Sequence, residues 1–202
     1  MNKRLQQLKH WQLFAVFFII PIILLFSYLV CLISSNELNK VTTHINVFSS
    51  FILLITIISS ITLGTCYAWF WSIGIGFRRK FPKGIAFNYK LFKVAVIFPV
   101  IYLIGLPLII YFFTDDFCMI NTQNVKAVES SYLLLIPLHF FSLFCSMYCV
   151  YFTAKTLKAI ELQREPSFKE FSFELVLILF FFIGVWFIQP KVNAIEKIKD
   201  RY

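Results

Sequence analysis

Five apolar blocks separated by short charged linkers constrain this chain more than any other feature. A hydrocarbon core about 30 Å thick takes about 20 apolar residues of helix to cross. The 202 residues are 59% hydrophobic and only 14% charged, too little polar material to cover a water-soluble globule. A cytosolic enzyme, a disordered chain and a disulfide-stapled secreted domain are therefore excluded. The pattern predicts an all-α, polytopic helical membrane protein. It forms a single integral membrane domain over 1–202, with five transmembrane helices at about 12–33, 47–74, 91–113, 132–154 and 171–188.

Each block has its own punctuation. The first follows Met1-Asn2-Lys3-Arg4 like a signal peptide, but its apolar run is too long for an h-region. Ser34-Ser35-Asn36 also offers no cleavage site, so the helix is read as retained. The second exceeds the hydrocarbon thickness and must tilt or protrude. Pro99 and Pro107 predict kinks in the third. The fourth continues as helix through Lys158, Glu161 and Arg164 until Pro166. The fifth opens on a capping box, Ser167-Phe168-Lys169-Glu170, and is expected to end at Gln189-Pro190. With only about 18 strongly apolar residues it is near the minimum for a span. The alternative is four spans plus a re-entrant fifth helix turning near Gly184.

Charge sets the orientation. Thirteen Lys and Arg fall in the N-terminal segment and in the linkers after the second and fourth blocks. Only Lys40 and Lys126 fall in the opposite linkers. Because Lys and Arg favour the cytoplasmic side, the N-terminus is expected inside. Lys191, Lys197, Lys199 and Arg201 would lie outside after five crossings, and inside if the fifth block turns back. The formal charge of +9 is thus chiefly a topology signal, with no specific nucleic-acid partner implied. The cluster Arg78, Arg79, Lys80 and Lys83 is a candidate contact for anionic lipid headgroups.

Two polar stripes are candidate functional features. Tyr132, His139, Ser146 and Thr153 recur every seven residues in the fourth helix, with Ser142 beside them. Ser49, Thr56, Ser60 and Tyr67 run along the second. This spacing keeps each set on one helix face. Such stripes act either as facing seams joined by interhelical hydrogen bonds or as the lining of a polar path centred on His139. Glu174 is the only carboxylate within any block, and it sits near the boundary, which argues against an ion-coupled carrier.

No zinc-ligand spacing, nucleophile elbow, phosphate loop or paired catalytic carboxylates occur, so no catalytic residue, metal or cofactor is expected. Cys145 and Cys149 share a face away from His139, which is poor metal geometry. Cys31 and Cys118 could meet at the outer side and form a disulfide in an oxidising compartment.

The ending Gly184-Val185-Trp186-Phe187-Ile188-Gln189-Pro190-Lys191, followed by Asn193, is similar to the C-terminus of small uncharacterised multi-span bacterial membrane proteins. Trp69 to Lys80, running into Pro82, supports the same match. The resemblance covers about a quarter of the chain and implies a bacterial membrane protein, with no activity, ligand or site residue attached to it. The expectation is a non-enzymatic, multi-pass protein of the bacterial inner membrane, an accessory, scaffold or effector subunit. Its partners would be anionic bilayer lipid and a protein partner or a second copy of itself. The competing expectation is an oligomeric pore or small-solute channel lined by the two stripes. A lipid-directed membrane enzyme is a third.

Overall fold

The computed structural model describes residues 4–34, 43–81, 85, 87–118 and 125–197. Those residues are almost all helical, with no strand among them. Four helical stretches are long and apolar enough to cross a membrane: His10–Ile33, Leu53–Lys80, Tyr89–Leu106 and Leu135–Leu162. The first comprises α2 (His10–Phe14), a π-helical turn (Ala15–Ile19) and α3 (Ile20–Ser34), preceded by the single turn α1 (Arg4–Gln7). The π turn lies directly before Pro21, which has no N–H to return to the preceding turn, so the ladder widens there.

The other three stretches lie chiefly in α4 (Thr43–Gly74), α5 (Tyr89–Cys118) and α6 (Val125–Leu162). At 1.5 Å per residue, the 38 residues of α6 span about 57 Å, well beyond the hydrocarbon core. Its continuation beyond the apolar run was legible in Lys158 and Glu161. It ends at Gln163, whose φ of 53° is a left-handed helix stop, three residues before Pro166. Neither Pro99 and Pro107 in α5 nor Pro137 in α6 breaks its helix.

The fifth block departs from a single crossing. It divides into α7 (Phe168–Leu179) and α8 (Phe181–Lys197), which meet at Phe180 (φ −90°, ψ 57°) and fold back on one another. Glu174 of α7 reaches Lys191 of α8 at 2.8 Å, although 17 residues of straight helix would separate them by about 26 Å. Gly184 allows the fold-back: a Cβ there would overlap the Leu177 carbonyl on the other arm. Five continuous crossings are therefore not what the backbone displays. The expected stop at Gln189-Pro190 is also corrected, because α8 runs through Pro190 to Lys197. Pro190 sits on the exposed side of α8, where its missing N–H is tolerated.

The far end of α8, the α1 turn and the basic turn Arg78–Lys80 meet at one end. The Gln7 amide donates to Glu196 (3.2 Å), and Lys80 Nζ donates to the Ile195 and Glu196 carbonyls (2.6 and 2.7 Å). Among the described side chains, tight packing gathers in this half of the molecule, around Trp69, Ile73, Phe77, Phe92, Phe152, Leu157 and Val185. Bulky rings dominate the joints: Phe92 stacks on Phe152 at 4.1 Å, and Phe17 meets Phe181 edge-on at 4.7 Å. By contrast, α3 presents Ile22, Ile23, Phe26, Leu29 and Ile33 outward.

Candidate functional site

The two polar stripes close on each other at one joint. Ser146 donates to the Ser142 carbonyl (2.8 Å), which leaves Tyr67 to donate to Ser146 at 2.5 Å. Further out, Ser60 turns away from α6 and donates to Leu103 O of α5 (3.0 Å) as well as to Thr56 O (2.8 Å). His139 is exposed, and its Nδ1 lies 3.2 Å from the Tyr102 hydroxyl of α5. Thr56 and Ser142 are buried, and Thr153 is fully buried with no partner for its hydroxyl. The side chains of Ser49 and Tyr132 lie outside the described ones. Seven-residue spacing fixes a face but not the neighbour it meets. Along the outer half that neighbour is α5, as Phe98 against Phe141 (4.6 Å) also shows.

An ion cluster around the buried Glu174 joins α6, α7 and α8. Glu174 is 2% exposed, and its Oε1 lies 2.8 Å from Lys191 Nζ and 3.5 Å from Lys158 Nζ. Glu161 completes the group at 3.1 Å from Lys158 and 3.8 Å from Lys191. The one carboxylate taken from water, Glu174, is compensated by two partly exposed cations. Glu174 was visible in the sequence as the lone carboxylate in a block. Its partner Lys191 was not, because a straight helix puts the two at opposite ends.

A second buried network was missed. Trp69 Nε1 donates to Gln189 Oε1 at 2.9 Å, with both side chains fully buried. Gln189 Nε2 donates to Leu8 O (2.8 Å), Gln6 O (3.3 Å) and Asn193 Oδ1 (3.1 Å), and Asn193 Nδ2 also reaches Leu8 O (3.2 Å). The Gln6 amide in turn donates to the Ser72 carbonyl of α4. The non-helical turn between α1 and α2 thus finds its donors on α8. The only sequence signal was an amide inside an apolar stretch, and its neighbouring proline made it read as a helix stop.

The basic cluster is divided by the fold. Lys80 caps the carbonyl end of α8. Arg78 lies over the Tyr89 ring at 5.1 Å, Arg79 is exposed, and Lys83 is outside the described residues. Elsewhere at this end Lys155 pairs with Glu165 (2.7 Å) and Arg164 with Glu170. The Glu170 carboxylate also accepts the Ser167 N–H (2.7 Å), half of the expected capping box. The Arg164 guanidinium and this N–H hold its pKa down to about 2.

Among the described residues no three His, Cys, Asp or Glu side chains gather as a metal site. Cys145 and Cys149 are buried free thiols and Cys31 is an exposed one; the side chain of Cys118 lies outside the described ones. No family model, no curated protein and no solved structure matches this chain.

Proposed function

We propose that this chain is a non-enzymatic accessory or scaffold subunit of the bacterial inner membrane. Four crossings anchor it, a re-entrant α7–α8 hairpin enters from the cytoplasmic side, and both termini are cytoplasmic. The observation that carries this reading is how the intramembrane polar groups are used. Tyr67, Ser146 and Ser60 tie helices together, and Gln189 and Glu174 secure the hairpin. What remains available to a partner is the charged end of the bundle and the cytosolic extension of α6. Seventeen Lys and Arg then lie inside and two outside, the distribution that bilayer insertion favours.

Crosslinking in intact membranes followed by affinity recovery tests the proposal. A defined protein partner is expected, and recovery of only self and lipid overturns it. An oligomeric pore lined by the Thr56 and His139 faces would make reconstituted vesicles leak small dyes. The accessory reading expects them to stay sealed.

A further inference from the structure

The cations at the charged end are unevenly compensated. Beside α6–α8, Lys155, Lys158, Arg164 and Lys191 each have a carboxylate partner, and the exposed Lys169 and Lys197 have none among the described residues. Beside α4–α5, Arg78, Arg79, Lys90 and Lys93 are exposed, and none has an acidic partner among the described residues. Arg78 is held over Tyr89, the first residue of α5, which brings its guanidinium to the turn that carries Lys90 and Lys93.

These lysines are not on a face turned toward the cytosol. Lys90, Val94, Ile97, Ile101 and Ile104 follow one another at spacings of four, three, four and three, one exposed stripe along α5. A lysine at the end of a lipid-facing stripe places its ammonium where hydrocarbon gives way to headgroups. Directly below lies a groove of about 380 Å³ between α4 and α5, lined by Ser60, Ile61, Gly64, Ala68, Val100 and Ile104 among others. Val100 and Ile104 follow Lys93 by seven and eleven residues, within about 20° of it around the helix and about 10 and 16 Å deeper. Cation and groove are thus aligned along one helix edge, in the order of a phospholipid's headgroup and chain.

We propose that this edge is a binding site for one anionic phospholipid. Its phosphate sits among Lys93, Lys90 and Arg78, and one acyl chain occupies the α4–α5 groove. The inference rests on the bilayer placement proposed above and adds a ligand to it. A soluble acidic partner would not explain a groove that continues the cationic cluster into the hydrocarbon, and a neutral lipid would not explain the uncompensated charge.

The test uses the full chain in phosphatidylcholine bilayers doped with phosphatidylglycerol, extracted into detergent and weighed with its retained lipid by native mass spectrometry. Phosphatidylglycerol should be retained above its share of the bilayer. Lys93→Gln should lower that enrichment about fivefold, and adding Lys90→Gln should lower it by a similar factor again. Lys169→Gln, an exposed site on α7, should leave it unchanged. Gly64→Leu fills the groove where an added Cβ meets nothing within 4 Å. It should reduce retention of long-chain phosphatidylglycerol and spare a short-chain analogue, and free glycerol phosphate should not compete. Retention in the bilayer ratio, or enrichment indifferent to Lys93→Gln, overturns the site. Carbonate extraction separates the two failures: wild-type protein stripped from membranes overturns the bilayer reading as well, whereas protein that stays embedded without enrichment overturns the lipid site alone.

Discussion

Gly184 is the residue on which the hairpin turns. Any side chain there must displace the Leu177 backbone, and a backbone cannot swing aside as a flexible side chain can. Gly184→Ala is expected to destabilise the fold toward the upper end of about 1–3 kcal/mol. Gly64→Ala, with open space at its Cβ, should be near neutral, and denaturant titration in detergent compares the two. Glu170 offers a pH test outside the membrane-spanning segments. Its carboxyl is held at about 2 against an ordinary 4.5, so its contribution is fully present above 4.5, fades below that, and is lost as pH falls through 2. Carboxyl NMR should find the low midpoint, and Arg164→Gln should move it up toward 4.5. A Glu170 midpoint already near 4.5 in the wild type would remove the Arg164 contact from the account.

At the scale of elements, Trp69 and Gln189 join α4 to α8, and the Gln189 amide carries the join on to the α1–α2 turn. Trp69→Phe keeps a ring beside Phe70 and Phe181 but removes the donor to Gln189, at an expected cost of about 1–3 kcal/mol in a denaturant titration. A change below about 0.5 kcal/mol would show that ring packing alone holds this joint. The crossing helices were legible because apolar length and flanking charge are local properties, readable block by block. The capping pair at Ser167 and Glu170 was legible for the same reason, since its partners are three residues apart. The split of the fifth block was legible only as the alternative to a single crossing. Composition cannot distinguish one helix of 18 apolar residues from two arms, because the deciding contact is between Gly184 and a carbonyl brought near only by the turn itself. Sequence spacing assigns the stripe residues a helix face each. Their partners were not readable, because Ser60 and His139 answer to α5, whose position is set by packing elsewhere.

For the whole molecule, the hairpin brings Glu196 back to Gln7 at one end, where the described packed core gathers. The outer half of α3 is left with exposed Ile, Leu and Phe, surface suited to lipid tails. This arrangement has a consequence that a five-crossing chain cannot share. Gln7 and Glu196 are 189 positions apart in sequence, yet their side chains meet at 3.2 Å. In a background with the native cysteines replaced, Gln7→Cys with Glu196→Cys should form a disulfide rapidly under mild oxidation in intact membranes. Gln7→Cys with Phe180→Cys should not, because the hairpin tip lies at the far end of α7, about 18 Å along its 12 residues. If the fifth block crossed the bilayer, Glu196 would lie some 30 Å from Gln7 on the opposite side, and neither pair would close. A band for the first pair and none for the second identifies the re-entrant chain. No band for either restores the fifth crossing and moves the four C-terminal cations outside.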